Sequence, residues 1–135
     1  MDCVFCKIAS GEFGSCKVCE DEHALAFLDI NPVCGYHTLV IPKKHRVNIF
    51  DIPADELAHV AAMVKRVTAL YREKLGVENC QILHNAGAEA QQEVFHFHFH
   101  IIPRASGDGN NIGWKTHPEL RAEFAAMAAK LFPPS

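Results

Sequence analysis

His96, His98 and His100 stand two residues apart in the run Glu93-Val94-Phe95-His96-Phe97-His98-Phe99-His100-Ile101-Ile102-Pro103. With nine His in 135 residues, such a triplet arises by chance only roughly 0.04 times per chain, so the spacing calls for a chemical explanation. Strict alternation predicts a strand whose imidazoles line one face, while Phe95, Phe97, Phe99 and Ile101 line the other. An imidazole with one nitrogen free and the other pinned by a hydrogen bond is a good nucleophile near neutral pH, and phosphorus is within its reach. Neighbouring imidazoles can then donate protons or stabilise phosphate oxygens. The same row could instead bind a metal ion, since His side chains at i and i+2 can share one. The residues by themselves leave both chemistries open.

The elements that must carry this row can be read from punctuation and periodicity. Cys3 to Gly11 reads as a short helical turn ending at Gly, and Lys17 to Glu20 and Ala24 to Asp29 as two strands joined by the polar turn Asp21-Glu22-His23. Asn31-Pro32 ends the second, and His37 to Ile41 forms a third strand stopped by Pro42. From Ala54 to Leu75 the apolar positions Leu57, Val60, Ala61, Val64, Val67, Thr68, Tyr71 and Leu75 follow helical spacing, with Pro53 before and Gly76 after. Cys80 to His84 is a fourth strand and the histidine run a fifth. Thr116 and Glu119 suit a capping box that opens a last helix running to about Leu131. This order predicts an α+β fold: an antiparallel five-stranded sheet with one long helix and short terminal helices. No repeat or linker divides the chain, so residues 1–135 read as one domain, with a tail from about 104 whose role the pattern does not assign.

Composition narrows the partners. A net charge of -3 gives no general attraction to nucleic acid or anionic membranes, and 49% hydrophobic content in 135 residues supports one ordinary core. The first residues, Met1 to Lys7, lack a basic segment followed by an apolar one, and no apolar run is long enough to span a bilayer, which leads to the expectation of a cytoplasmic protein. In a reducing compartment, Cys3-x-x-Cys6 and Cys16-x-x-Cys19 read as metal-binding or redox pairs and could together form a four-cysteine zinc knuckle. Cys34 and Cys80 read as small buried hydrophobes, and His23, His59, His84 and His117 as surface or helix-face residues with no shared role.

The run from His96 to Ile102 resembles the signature of the histidine-triad (HIT) family, His-x-His-x-His followed by apolar residues. The resemblance extends in order through Phe27-Leu28-Asp29-Ile30-Asn31-Pro32, His37-Thr38-Leu39-Val40-Ile41-Pro42-Lys43-Lys44-His45, Asn85-Ala86-Gly87 and Gln92, and is closest to the Hint-like branch and its bacterial relatives. It implies the HIT-like fold and a homodimer. It also implies a nucleotide-binding hydrolase that cleaves at the α-phosphate of a nucleoside phosphoramidate or related purine nucleotide conjugate, through a covalent nucleotidyl-histidine. Carried over by position, His98 corresponds to the nucleophile, His100 to its proton-transfer partner and His37 to a fourth active-site histidine. Asp29 corresponds to the ribose acceptor. Phe5, Ile8, Phe27, Leu28 and Ile30, together with Val4 and Phe13, correspond to the apolar wall around the base, and Asn85 and Gln92 to positions near the phosphate.

For the metal, zinc-containing members and the related galactose-1-phosphate uridylyltransferases imply a different set from the knuckle: Cys3, Cys6, His45 and His96, a closed structural zinc site with no catalytic metal required. Two departures stand out: Glu93 follows Gln92 where relatives often carry a hydroxyl residue, and Tyr36 precedes His37 where Gly is common. Alternative readings are a dinucleoside polyphosphate hydrolase, a nucleotidyltransferase, or a nucleotide or metal sensor without catalysis. A complete set of four histidines argues against the sensor.

Overall fold

The computed structural model describes residues 2–133; the domain expectation for residues 1, 134 and 135 lies outside the described residues. Helix α1 (Val4–Ala9) precedes strands β1 (Lys17–Glu20), β2 (Ala24–Leu28) and β3 (Thr38–Pro42). The long helix α2 (Ala54–Leu75) follows, then β4 (Cys80–Leu83), β5 (Phe99–Pro103), a 3-10 segment (Pro118–Glu123) and α3 (Phe124–Leu131). The strands form one antiparallel sheet in the order β1-β2-β3-β5-β4, as the α+β reading expects.

Alternation along the strands separates two packed layers. Ala24, Ala26 and Val40 join Phe97 and Ile101 against Val60, Met63, Val64, Val67 and Tyr71 of α2. Leu25, Phe27, Leu39 and Ile41 face the other way and bury Phe5 of α1. Helix α2 has the expected bounds because local signals set them. Extended Pro53 (φ -63°, ψ 147°) starts it, and Gly76 at φ 70° closes it, with the Gly76 N–H donating to the Arg72 carbonyl and the Val77 N–H to the Tyr71 carbonyl. Met63 takes a place in its buried stripe that the sequence reading gave to Ala61, which is exposed.

The histidine run departs from expectation. Only Phe99–Pro103 is strand, pairing Val40 with Phe99 in β3 and Leu83 with His100 in β4. Continued in the same register, Phe97 would lie opposite Pro42, which has no N–H to give a ladder. The Phe97 N–H instead donates to the Arg46 carbonyl at 2.6 Å, and the Arg46 guanidinium is itself forked onto Glu56 at 2.6 and 2.9 Å. His96, His98 and Phe97 still alternate in facing, but Phe95 lies in the bend before the strand and is 48% exposed rather than packed.

The tail also differs. Arg104 holds its first part, with its guanidinium donating to Gln81, Asp108 and Asn111. The expected capping box does not form, because His117 takes the Glu119 carboxylate at 3.0 Å and the chain starts as a 3-10 segment before becoming α3. Every described residue from 111 onward is exposed, including Trp114, Phe124 and Phe132.

Candidate functional site

His98 and His100 project from the α1 side of the sheet, with ring centroids 5.0 Å apart. Their protonation states follow from their partners. His98 Nδ1 lies 2.7 Å from the carbonyl oxygen of His96, an acceptor only, so Nδ1 carries the proton and Nε2 keeps its lone pair. Nε2 has no hydrogen-bond partner among the described residues and is not among the buried unpaired atoms, so it meets solvent.

A second chain of hydrogen bonds assigns His100. The Val33 N–H donates to His37 Nδ1 at 3.1 Å, which puts the His37 proton on Nε2. His37 Nε2 then donates to His100 Nδ1 at 2.9 Å and lies 3.5 Å from Asp29 Oδ2. His100 Nδ1 is therefore an acceptor, and its proton sits on Nε2. Burial pushes the His98 and His37 pKa values down, with the Asp29 carboxylate partly opposing the shift in both. Burial, aided by His98 and His37, pushes His100 down to about 4. All three are neutral at pH 7.

Asp29 follows β2; its Oδ1 accepts from the Asn31 N–H at 2.8 Å, and its own N–H donates to the His37 carbonyl at 2.9 Å. The Phe5 ring stands edge-on to Phe27 at 5.6 Å and to His98 at 5.3 Å, so α1 roofs the histidine face. Ile8 and Leu28 are half-buried beside them, Val4 and Phe13 are partly exposed, and Ile30 is 89% exposed. Asn85 is half-buried in the segment after β4. Gln92 is buried with its amide fully engaged: Oε1 accepts from the Gly87 N–H and Asn48, and Nε2 donates to the Val47 and Val94 carbonyls. It holds two loops together and has no donor left for a phosphate. Glu93 is exposed. Tyr36 has φ 64°, the left-handed region where Gly costs least, which explains the Gly expected there.

Among the described residues two side-chain groups have metal-compatible spacing: Cys3, Cys6, His45 and His96, and Asp29, His37 and His100. The hydrogen bonds separate them. His96 Nε2 donates to the Pro42 carbonyl at 2.8 Å, so Nδ1 presents a lone pair to the thiols, 3.3 Å from Cys3 Sγ and 3.5 Å from Cys6 Sγ. His45 Nδ1 lies 3.3 Å from Cys6 Sγ. A tetrahedral zinc with ordinary bond lengths puts S and N about 3.5 Å apart, so this set fits. Burial and the adjacent Cys3 thiol push Cys6 up to about 11, and a cation is the partner that would favour both thiolates. In the other group, the Val33 N–H fixes the His37 proton on the nitrogen a metal would need, so that group suits proton transfer.

Cys16 and Cys19 join no metal-compatible group among the described residues, and the four-cysteine knuckle does not assemble. The expectation for Cys34 and Cys80 also fails: Cys34 is half-buried with its thiol 3.5 Å from the Pro103 carbonyl, and Cys80 is exposed on the edge strand β4. His23 and His59 stack at 3.7 Å, and His84, expected at the surface with no shared role, is half-buried beside the histidine run. Its ring lies parallel to Phe97 at 4.3 Å and bonds the His98 carbonyl. Sequence could signal it only as a His just past the strand that neighbours the triad.

A HIT domain model matches residues 10–107. The chain is 47% identical over 123 residues to protein hit of Bacillus subtilis, covering 87% of this chain and 82% of that one. It is 38% identical over 132 residues to the adenosine 5'-monophosphoramidase hnt1 of Schizosaccharomyces pombe, covering 97% and 96% of the two chains. The crystal structure of a zinc-bound histidine triad family protein from Mycobacterium smegmatis superposes with a TM-score of 0.77 at 39% identity, over 96% of this chain and 98% of that one.

Proposed function

The chain belongs to the HIT domain family, and from that premise we propose that it is a nucleotide hydrolase. It cleaves at the α-phosphate of a nucleoside phosphoramidate, or a related nucleotide conjugate, through a nucleotidyl intermediate on His98. One observation carries the reading: His98 has its proton held on Nδ1 by the His96 carbonyl, with Nε2 bare, beside an imidazole whose Nε2 carries a proton.

With the phosphate bound, His100 takes up a second proton from solvent. In the first step His98 Nε2 forms a bond to the α-phosphorus, the bond to the leaving amine breaks, and the His100 imidazolium delivers its Nε2 proton to that amine and returns to the neutral form. The phosphate charge beside His100 opposes the effect of burial and raises its proton affinity when substrate is bound. In the second step water attacks the same phosphorus, His100 takes the water proton, and the bond to His98 breaks to release the nucleoside monophosphate. His37, 2.9 Å from His100 Nδ1, sets the resting tautomer of His100 and keeps its ring aimed at the leaving group. Asp29 accepts the ribose hydroxyls, Phe5, Phe27, Ile8 and Leu28 cover a purine base, and Asn85 offers a donor to the phosphate. The phosphoramidase name of the fission-yeast relative supports this substrate class.

Cys3, Cys6, His45 and His96 would hold a zinc ion whose contribution is structural, tying α1 to the histidine segment. The zinc-bound relative supports this assignment. A homodimer belongs to the same reading. The accessible surface is 9181 Å², whereas a compact 15.0 kDa monomer presents about 7,000 Å². An excess of about 2,000 Å² is what one subunit of an obligate dimer covers. Six unpaired cysteines suit a reducing, cytoplasmic setting, and no helix among the described residues is long and apolar enough to cross a membrane.

The test is turnover of an adenosine phosphoramidate by the wild type and by His98→Ala, with mass analysis for an acid-labile nucleotidyl adduct. Turnover and an adduct in the wild type alone are expected. Equal turnover in the variant would overturn the covalent role.

A further inference from the structure

The backbone that carries His98 lies outside the sheet, because pairing with β3 ends at Phe99 and pairing with β4 ends at His100. Its polar groups are held by other means, and at the His98 carbonyl the partner is the His84 side chain. His84 Nδ1 donates to that oxygen at 3.0 Å, while His84 Nε2 accepts from the Ile49 N–H at 3.1 Å. Both ring nitrogens are thus used, and the tautomer is set by one donor and one acceptor of the backbone.

We infer that His84 is a positioning residue for His98: its imidazole takes the place of a missing ladder partner and ties the nucleophile's backbone to the loop before α2. Register gives the reason. In the β4 and β5 pairing, Leu83 faces His100, so His84, the residue after β4, stands beside Phe99, where β5 begins. A side chain with a donor and an acceptor on opposite sides can bridge there from the His98 carbonyl to Ile49. The bridge also acts on the imidazole. His98 Nδ1 donates to the carbonyl of His96, two residues earlier, so the ring direction depends on the backbone between residues 96 and 98. That backbone is held at the Phe97 N–H by Arg46 and at the His98 carbonyl by His84. Releasing the second anchor lets the peptide after His98 turn and the Nε2 lone pair leave the line of attack.

The inference rests on the reading of His98 as nucleophile, and two variants separate hydrogen bonding from packing. His84→Phe keeps a ring to stack on Phe97 and loses both bonds. His84→Gln loses the ring, but its amide offers a donor and an acceptor with nearly the spacing of the two ring nitrogens. Positioning predicts that His84→Phe lowers the rate of nucleotidyl-His98 formation about tenfold with KM little changed, and that His84→Gln restores most of it. A ring that only fills space predicts the reverse order, which would overturn the inference, as would a wild-type rate in His84→Phe. Nitrogen-15 imidazole spectra of the substrate-free proteins give a readout that does not depend on turnover. The protected His98 Nδ1–H signal should survive in His84→Gln and exchange faster in His84→Phe; its equal survival in both overturns the inference. If the wild type forms no adduct, the hydrolase reading fails, and the imidazole spectra still decide the role of His84.

Discussion

Replacing His37 with Leu tests the proton-transfer chain at its middle link. The His37 side chain is 4% exposed and bonded at both nitrogens, to the Val33 N–H at 3.1 Å and to His100 Nδ1 at 2.9 Å. Leu is close in bulk and fills the site without a large cavity, so the fold should persist. Thermal unfolding should shift by only a few degrees, roughly what 1 kcal/mol produces in a domain of this size. The Val33 end lies near solvent and finds water. His100 Nδ1 does not regain a fixed donor, so the ring is free to carry its proton on either nitrogen. Leaving a partly buried acceptor unpaired costs about 1–3 kcal/mol, and charged to the transition state this is roughly a 5- to 150-fold fall in kcat. The fall should appear in both formation and hydrolysis of the His98 adduct, because His100 gives its proton in one step and takes it back in the other. KM should stay within about threefold, since Asp29 and the apolar wall are untouched. Stopped-flow turnover of an adenosine phosphoramidate, with the adduct quantified by rapid quench, reads both steps. An unchanged kcat in a folded variant would refute the chain, and a loss confined to KM would move His37 from proton transfer to binding.

Chelation should remove one zinc per chain and lower the unfolding temperature by more than about 5 °C, while the remaining folded fraction keeps its turnover, as a purely structural metal requires. Loss of turnover without loss of stability would contradict that division of roles. Acid should act through the depressed histidines. The unfolded chain takes up protons below about pH 6.5 and native His100 only near pH 4, so stability rises with pH across that window, and about 2 kcal/mol is lost between pH 7 and pH 5 through this group. Denaturant melts at the two pH values measure it, and stability that is flat or falls with pH would be inconsistent. Because burial holds His98 below its ordinary value, the acid limb of kcat/KM should have its midpoint below 6.5; a midpoint above 6.5 would show that the group limiting the reaction is another one. Sedimentation equilibrium at micromolar concentration should give a dimer of the 15.0 kDa chain, and a monomer would remove the interpretation of the excess surface.

What was legible beforehand was what short-range signals specify. Lys17–Glu20 and Ala54–Leu75 have the expected bounds because turn residues, Pro53 and Gly76 act on their immediate neighbours. Alternation was equally local, and it placed His96, His98 and His100 opposite Phe97 and Ile101 correctly, even where the chain turned out not to be strand. The failures share a cause. Strand pairing of the histidine run ended because Pro42, more than fifty residues away, falls opposite Phe97, and no pattern within the run records that. The capping box at Thr116 failed to a competitor, His117, for the same carboxylate. Residue type makes Cys80 a buried position, but whether a strand lies at an edge is a property of the sheet.

The sequence by itself determined which side chains share a face and where most elements start and stop, since both follow from the geometry of a few consecutive residues. Only the tertiary structure decided protonation. The Val33 N–H makes His37 a donor, the His37 donor makes His100 an acceptor, and the His96 carbonyl leaves His98 Nε2 bare. It likewise decided that His96 turns a lone pair to Cys3 and Cys6, because Pro42 accepts its other proton. An imidazole is nucleophile, acid or ligand according to which nitrogen holds the hydrogen. That choice is made by hydrogen-bond partners brought close in space from distant parts of the chain.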